Sequence, residues 1–322
     1  MQQGQGKRPQ NPVSELISIV VPAYNEEESL PLFHQRTTAV LKTFTENYEI
    51  VYINDGSKDQ TMAVMHDLQT RDNRVSIIDL SRNFGKELAL TAGLDLAKGD
   101  AAIVMDADLQ DPPELIPELI QKWQEGYDVV YAKRLTRDGE TALKKTTSYL
   151  FYRLMHRVSS VEIPEDTGDF RLLSRRALNA LKELREQHRF MKGLFAWIGY
   201  PQTAVEYNRE KRAAGTTKWN YWRLWNFALE GITSFTTAPL KLATYIGFFV
   251  SFVAFIYAII VIAKTLLFGD PVAGYPSLMV AVLFLGGIQL FTLGVIGEYL
   301  ARTFSETKNR PLYIIKEYKS RK

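Results

Sequence analysis

The amino-acid sequence predicts an α/β protein with a mostly parallel sheet, followed by a hairpin of two membrane-spanning helices. Short apolar runs rich in β-branched residues alternate with helical segments from Ile17 to about Tyr131, which is typical of a sheet covered by helices on both faces. After Pro239 the chain has two uninterrupted apolar stretches, at 242–263 and 278–297. Each stretch is long enough to cross about 30 Å of hydrocarbon. The chain of 322 residues is 46% hydrophobic, which is enough apolar material for a sizeable core.

The α/β part repeats one unit, a strand followed by a helix. Strands are predicted at 17–24, 48–55, 75–80, 101–108 and 127–134, with helices at 27–44, 59–71, 85–97 and 113–125 between them. In parallel sheets, ligands bind beyond the carboxyl ends of the strands. Four of the predicted strands end in polar residues at that edge: Tyr24-Asn25-Glu26, Asn54-Asp55-Gly56-Ser57, Asp106-Ala107-Asp108 and Lys133-Arg134. One polar strand end is an ordinary transition into a loop, whereas four at one edge favour a binding site.

The stretch MDADLQDPPE (105–114) places three carboxylates within six positions, at Asp106, Asp108 and Asp111. Neighbouring carboxylates raise one another's pKa, so a counter-charge is expected. Asp111 followed by two prolines is typical of a helix start, with Asp111 as the N-cap. Asp106, Asp108 and Gln110 offer the oxygen ligands that Mg²⁺ or Mn²⁺ prefers. The absence of cysteine excludes a thiolate site, and the four histidines are not in metal-ligand spacing.

A second acidic loop, NDGSKDQT (54–61), follows the second predicted strand. Asp59 is expected to cap the next helix and Gly56 to relieve a tight turn. Asp55 is then available for a ligand such as a base or a ribose. The chain has neither G-x-G-x-x-G after its first strand nor G-x-x-x-x-G-K-[ST], which disfavours dinucleotide-binding and P-loop folds. Its net charge of +3 is too small to indicate a nucleic-acid-binding protein.

Five segments, in order and spacing, together resemble a known family. They are VPAYNEEESL (21–30), INDGSKDQT (53–61), DADLQDPPE (106–114), DTGDFRLLSRRAL (166–178) and REKRAAGTTKW (209–219). The first three resemble the inverting GT-A-type glycosyltransferases of family 2. The last two, with the apolar hairpin, resemble the polyprenyl-phosphate branch of that family, which includes bactoprenol glucosyltransferases and dolichyl-phosphate mannose synthase. The resemblance covers about 17–308 and implies a GT-A, Rossmann-like catalytic domain.

The resemblance also implies roles for individual positions. Pro22, Tyr24, Glu26 and Asp55 would hold the base and ribose of a nucleotide sugar, with Asp106, Asp108, Arg134, Arg212 and Lys218 around its diphosphate. Asp106, Asp108 and Gln110 match the D-x-D-x-Q metal motif, which implies Mg²⁺ or Mn²⁺ as the cofactor. The implied catalytic residues are Asp108, Asp169, Arg212 and Lys218, and the acceptor phosphate would lie near Asp166, Arg171 and Arg209. Asp166 and Asp169 have a structural alternative, which is to cap the following helix.

The implied reaction is the transfer of one sugar to a polyprenyl phosphate, with inversion at the anomeric carbon. A lipid monophosphate is ionised near neutral pH and can attack without a base, so catalysis is expected to rest mainly on charge neutralisation and alignment. The overall pattern resembles the bactoprenol glucosyltransferases more closely than the mannose synthase, which implies UDP-glucose as the donor. GDP-mannose, UDP-formamido-arabinose and UDP-N-acetylhexosamine remain alternatives.

Two other functions compete with this interpretation. A processive polysaccharide synthase shares the fold and the acidic motif, but usually carries a Q-x-x-R-W motif and more spans, and this sequence has neither. A catalytically silent membrane scaffold would also keep the fold. The intact set of Asp106, Asp108, Gln110 and Lys218 argues against a scaffold.

Charges flanking the two spans predict their orientation. Basic residues precede the first span and follow the second, at Lys241, Arg302, Lys308, Arg310, Lys316, Lys319, Arg321 and Lys322, whereas the connection at 268–277 has none. By the positive-inside rule, both termini and the catalytic domain are expected on the cytoplasmic side of the cell membrane.

Two further segments combine aromatic and basic residues, at 143–160 and 221–238. Such segments often lie in the headgroup plane, so we expect two interfacial helices there; the alternative is that they pack on the catalytic domain. Paired interfacial helices would also be compatible with a homo-oligomer. The predicted organisation is therefore a flexible tail at 1–15, a catalytic domain at 16–220, an interfacial helix at 221–238, the hairpin at 239–303 and a basic cytoplasmic tail at 304–322.

Overall fold

A computed structural model describes residues 14–135, 164, 167–208, 236–268 and 274–321. The described residues form two compact units. The first unit contains 14–135, 164, 167–208 and 311–321, and the second contains 236–268 and 274–310. The predicted interfacial helix at 143–160, most of the one at 221–238 and most of the N-terminal tail lie outside the described residues.

The first unit is built on a sheet that has eight strands within the described part of the chain, in the order β7-β5-β6-β4-β1-β2-β3-β8. The strands are β1 (Ile17–Ala23), β2 (Tyr48–Asn54), β3 (Val75–Leu80), β4 (Ala101–Val104), β5 (Val129–Arg134), β6 (Thr167–Ser174), β7 (Gln202–Tyr207) and β8 (Ile315–Lys319). β1 to β4 run parallel, and so do β5 and β7. β6 and β8 are antiparallel to their neighbours. The predicted α/β fold with a mostly parallel sheet is confirmed.

Six helices and a short 3-10 turn accompany these strands in the described part of the first unit. They are α1 (Ser29–Leu41), α2 (Thr61–Arg71), α3 (Lys86–Leu96), the 3-10 turn (Pro113–Leu115), α4 (Ile116–Gln124), α5 (Arg175–Glu183) and α6 (Met191–Trp197). The four helices predicted between the strands all form, with ends shifted by at most three residues and α4 preceded by the 3-10 turn.

The centre of the sheet is buried on both faces, which explains the continuous apolar strands. All residues of β1 to β4 are buried. Because side chains alternate along a strand, Ile19 packs in the core cluster that includes Leu30 of α1, whereas Val20 faces α3. Gly93 lets α3 approach closely, since a Cβ atom at this position would lie 2.5 Å from Val20 Cγ1.

Three strands, β6, β7 and β8, were not predicted as strands. β6 was not predicted, because it begins with the polar residues of the segment 166–178 rather than with an apolar run. β7 has the sequence QTAVEY, which lacks a long apolar run. β8 lies inside the predicted basic tail at 304–322, so that prediction is wrong for this part: Ile315–Lys319 pairs with β3 at the edge of the sheet. Edge strands commonly carry charged residues, and the sequence IKEYK therefore lacks an apolar strand pattern.

The second unit consists of two long helices, α7 (Ala238–Phe268) and α8 (Tyr275–Thr307). By length and composition both could cross a membrane, through Ala238–Tyr257 and Val280–Thr307. Many of their described apolar side chains are exposed; Phe248, for example, is 73% exposed. The predicted spans at 242–263 and 278–297 lie within α7 and α8.

Candidate active site

Sharp turns follow three central strands at their carboxyl ends. Asn25 after β1, Gly56 after β2 and Leu109 after β4 have φ angles of 54°, 66° and 56°. Gly56 is required by space as well as by φ, because a Cβ atom there would lie 2.5 Å from the backbone nitrogen of Asn83. Leu109 is a non-glycine residue in this left-handed conformation, which is uncommon. The predicted D-x-D-x-Q motif is therefore a tight turn, in which Asp108 Oδ1 accepts the Gln110 N–H at 3.2 Å.

The turns after β1 and β2 are bonded to each other. The Asn25 N–H donates to Ser57 Oγ at 3.0 Å, and the Asn25 side chain accepts the Lys58 N–H at 2.8 Å. The Glu26 N–H donates to Thr61 Oγ1 at 2.8 Å, and Glu26 Oε2 accepts the Ser29 hydroxyl at 2.6 Å. These contacts fix the two loops that were predicted to hold a nucleotide.

The other predicted nucleotide-binding residues lie in and after these strands. Pro22 is buried within β1 opposite Ile53, and Tyr24 is half-buried directly after the strand. Asp59 accepts the backbone N–H of Thr61, the first residue of α2, at 3.0 Å. The N-cap position of α2 is Gln60, which has no side-chain cap, so the prediction that Asp59 caps the helix is wrong, although Asp59 bonds to its first residue.

Asp55 has a structural role that the sequence did not reveal. Its side chain is almost fully buried, and its two oxygens accept the backbone N–H groups of Phe84 at 2.7 Å and Gly85 at 3.0 Å. Burial raises the pKa of Asp55, while these two hydrogen bonds and Arg82 oppose the rise. The carboxylate thus holds the loop that leads into α3.

Lys86, the first residue of α3, lies between two predicted site carboxylates. Its Nζ is 2.7 Å from Asp106 Oδ1 and 2.5 Å from Asp169 Oδ2. Asp106 follows β4 and Asp169 belongs to the neighbouring strand β6, so the ammonium joins the ends of two strands. This lysine is part of the counter-charge that the acidic stretch was expected to need, and the sequence reasoning missed it. A signal was present, because a lysine in the first turn of a helix is unfavourable beside the positive end of the helix dipole.

The charges of this cluster shift one another's protonation. Partial burial disfavours the charged form of Lys86, but Asp106 and Asp169 outweigh this effect and raise its pKa well above the usual value. Burial alone would raise the pKa of Asp169, yet Lys86, Lys192 and Arg171 hold it well below its ordinary range. Burial and the nearby Asp169 charge raise the pKa of Glu87 to about 7.

Cationic side chains line the β6 side of the same cluster. Arg171 is buried in β6, where its Nη2 donates to the Gly168 carbonyl at 2.8 Å and its guanidinium lies 4.0 Å from the Phe195 ring centroid. Lys192 Nζ donates to the Thr167 carbonyl at 2.8 Å. Burial lowers the pKa of Lys192, and the neighbouring positive charges act in the same direction, against Asp169. An anion close to these groups would therefore be stabilised.

The prediction that Asp111 is a helix N-cap is wrong. Asp111 is 2% exposed, accepts the Tyr207 hydroxyl and lies 3.9 Å from Arg134 Nη2. The 3-10 turn begins at Pro113 after Pro112, without a side-chain cap. The reason is that proline has no N–H. With two prolines at the start of the turn, an N-cap carboxylate would find fewer N–H groups from which to accept a hydrogen bond. Asp111 instead anchors Arg134, whose Nε donates to Tyr207 Oη at 3.2 Å.

The turn after β4 offers oxygen ligands of the kind that a divalent cation takes. Within the described residues, no group of three or more His, Cys, Asp or Glu side chains could hold a metal ion by itself. Asp106, Asp108 and Gln110 offer two carboxylates and an amide, and Mg²⁺ commonly takes one or two carboxylates and completes its shell with phosphates and water. Asp106 already binds one cation, the ammonium of Lys86. Four further predicted residues, Asp166, Arg209, Arg212 and Lys218, lie outside the described residues.

The fold and the acidic turn define a GT-A-like glycosyltransferase, and comparison with known proteins identifies the family. Residues 18–182 match the model of glycosyl transferase family 2, and the chain belongs to this family. Residues 238–303 match the GtrB C-terminal hairpin.

Relatives of similar length cover nearly the whole chain. It is 54% identical to an uncharacterized glycosyltransferase of Synechocystis sp., over 94% of this chain and 95% of that one. It is 52% identical to the SfII prophage-derived bactoprenol glucosyl transferase of Shigella flexneri, over 94% and 97%. It is also 52% identical to a prophage bactoprenol glucosyl transferase homolog of Escherichia coli K12, over 94% and 99%.

The similarity to solved structures is more distant. Glucosyl-3-phosphoglycerate synthase from Mycobacterium tuberculosis, in complex with Mn²⁺, UDP and phosphoglyceric acid, is 17% identical with a TM-score of 0.48. The match covers 68% of this chain and 77% of that one.

Proposed function

We propose that this glycosyltransferase moves glucose from UDP-glucose to a polyprenyl phosphate, giving a polyprenyl-phosphate-linked monosaccharide. The observation that carries the proposal is a sequence identity of 52% with bactoprenol glucosyl transferases over 94% of the chain, which includes the hairpin. The acidic turn and the cationic side chains beside it supply the charges that two anionic substrates require.

The chemistry is a single displacement. An oxygen of the lipid phosphate forms a bond to the anomeric carbon, the bond from that carbon to the diphosphate breaks, and UDP leaves with the electron pair. Attack opposite the leaving group inverts the carbon. Asp106, Asp108 and Gln110 would hold Mg²⁺ or Mn²⁺, which when bound offsets the negative charge on the departing diphosphate.

Asp169 is proposed to position the positively charged Lys86 side chain rather than to remove a proton. Its pKa is held well below the ordinary range by Lys86, Lys192 and Arg171, against the effect of burial, and such a carboxylate is a weak base. A phosphate that is already ionised does not require one. We assign Asp169 to positioning Lys86, while Arg171 and Lys192 provide the positive potential for the acceptor phosphate.

The nucleotide is proposed to bind at the turns after β1 and β2. Tyr24, Glu26 and Asp55 lie in these turns, which their hydrogen bonds hold in a fixed geometry. Asp55 accepts one backbone N–H on each oxygen, and each carboxylate oxygen can accept a second bond from a base or ribose. Arg134, Arg212 and Lys218 remain proposed contacts of the diphosphate, and Asp166 and Arg209 of the acceptor.

The site is proposed to work at the cytoplasmic face of the cell membrane. The two long apolar helices support a membrane anchor, since the polyprenyl chain stays in the bilayer and only its phosphate must reach the site. A homo-oligomer stays a prediction from segments outside the described residues.

The proposal is tested with the full-length protein in membranes that contain polyprenyl phosphate. Radiolabelled UDP-glucose should give one organic-extractable glycolipid, and the other nucleotide sugars should react more slowly. Asp108→Ala should reduce transfer at least about a hundredfold, as expected for loss of the main charge stabilisation, while its thermal unfolding shows a folded protein. Glu118→Gln, on α4, serves as the matched control.

Three results would contradict parts of this assignment. A labelled polymer would indicate a polysaccharide synthase, and no product with any donor would indicate a scaffold. Unchanged turnover of Asp108→Ala, or of the wild type in excess EDTA, would exclude the metal-assisted mechanism.

A further inference from the structure

We propose that Lys86 is a built-in counter-ion that exchanges with the divalent cation at Asp106. In the unloaded site the ammonium holds Asp106 and Asp169 together. When the cation binds, Lys86 leaves Asp106 and stays with Asp169. This inference rests on the proposed metal site, and it adds a positioning residue that none of the sequence motifs contains.

The geometry places two cations in competition for one carboxylate. Lys86 Nζ contacts both oxygens of Asp106, at 2.7 and 2.9 Å. A divalent cation on Asp106 would meet this ammonium at close range, and repulsion between like charges is strong at such distances. One of the two must move away.

Only the Lys86 side chain needs to move. Its backbone begins α3, which lies close to β1 at Gly93, and the preceding loop is fixed by Asp55. The Lys86 side chain is 41% exposed, whereas Asp169 is 15% exposed and remains as a partner at 2.5 Å. The exchange is therefore a rotation of one side chain on a rigid support.

The exchange has a use in both states. Without a cation, Lys86 neutralises two carboxylates from neighbouring strands that would otherwise repel each other. With the cation bound, the released ammonium lies beside Asp169 and Lys192, where an anionic phosphate is stabilised. The positive charge is thus moved rather than lost.

The test measures Mn²⁺ binding to the full-length protein without nucleotide, from the electron paramagnetic resonance signal of free Mn²⁺. Lys86→Met and Lys86→Gln should each bind Mn²⁺ about tenfold or more tightly than the wild type, since the competing charge is gone. A purely structural lysine would give the opposite result, with weaker binding because the site is disturbed. Lys122→Met removes a lysine that is paired with Glu125 away from the site, and it should leave the affinity unchanged.

The outcomes separate this inference from the metal site itself. If Asp106→Asn and Asp108→Ala bind Mn²⁺ as the wild type does, the proposed metal site is wrong. If those variants lose binding but both folded Lys86 variants bind no tighter than the wild type, only the exchange is wrong.

A second measurement uses the wild type alone, in case the Lys86 variants do not fold. Amine modification of Lys86, followed by mass spectrometry, should increase when Mn²⁺ is added, because the ion pair with Asp106 opens. Lys122 in the same sample provides the reference. An unchanged ratio of modification at Lys86 to that at Lys122 would overturn the exchange.

Discussion

Glu87 shows how burial, together with a neighbouring charge, changes the pKa of a single residue. It follows Lys86 at the start of α3, and its Oε2 accepts the Met191 N–H at 3.2 Å. Burial and the charge of Asp169 raise its pKa to about 7, from an ordinary value of 4.5. Between these two values the folded protein binds more protons than the unfolded chain, so stability falls as the pH rises through this window.

Glu87→Gln is expected to remove this loss of stability. Gln keeps an oxygen for the Met191 N–H but cannot ionise. The free energy of unfolding of the variant should therefore increase relative to that of the wild type between pH 5 and 8, by at most about 3 kcal/mol. The measurement is the unfolding midpoint of both proteins across this range, with Glu118→Gln as the control. A constant difference between Glu87→Gln and the wild type would show that Glu87 does not titrate there.

At the level of elements, β8 is a strand of the sheet that comes from outside the predicted catalytic domain. It pairs with the edge of β3, and Lys316 Nζ lies 3.0 Å from the buried carboxylate of Asp79. The Asp79 side chain also accepts from Asn54 at 2.7 Å. Next to the strand, the Arg321 N–H donates to Ser76 Oγ at 2.9 Å. Residues after the hairpin therefore belong to the catalytic unit.

Removal of residues 311–322 is expected to destabilise the first unit. The deletion opens the β3 edge and removes several hydrogen bonds at about 1 kcal/mol each, which should lower the unfolding midpoint by roughly 5–10 °C. A variant with Lys316, Lys319 and Arg321 all changed to Gln keeps the strand, so its unfolding midpoint should fall by less than that of the deletion. Equal midpoints for the deletion and the wild type would mean that β8 adds no stability.

The sequence predicted the strands whose apolar runs are nearly continuous, and burial alone did not decide which strands were missed. β6 is buried at seven of its eight positions, but Asp169 and Arg171 interrupt its apolar residues. β7 and β8 also lack a long apolar run. In the site, the carboxylates of the acidic stretch were predicted from one short segment. The contacts of Lys86 were not, because its partners lie 20 and 83 positions away. Long-range pairing of single side chains leaves no local pattern, and the same holds for Asp111 with Tyr207, 96 positions apart.

At the level of the whole molecule, the two units divide the work of the proposed reaction. The sheet unit carries the charged site, and the second unit consists of two long, exposed apolar helices. The positive-inside rule then predicts that the basic residues flanking the two helices lie on the cytoplasmic side of the membrane and the short connection between the helices on the other side.

Single-cysteine variants can test this orientation, because the chain has no cysteine of its own. In intact cells, Gly274→Cys, between α7 and α8, should react with a membrane-impermeant maleimide. Lys308→Cys, after α8, should react only once the membrane is permeabilised. The opposite pattern, or equal labelling of both positions in intact cells, would contradict the predicted orientation.

The position of β8 also has a consequence for biosynthesis. The strand comes after both apolar helices in the chain, yet it covers β3, which ends at Leu80. A ribosome adding about 5–20 residues per second would need on the order of ten seconds or more to reach β8. During that time the nascent sheet has an unpaired edge, so folding of the catalytic unit cannot be completed before the hairpin has been translated.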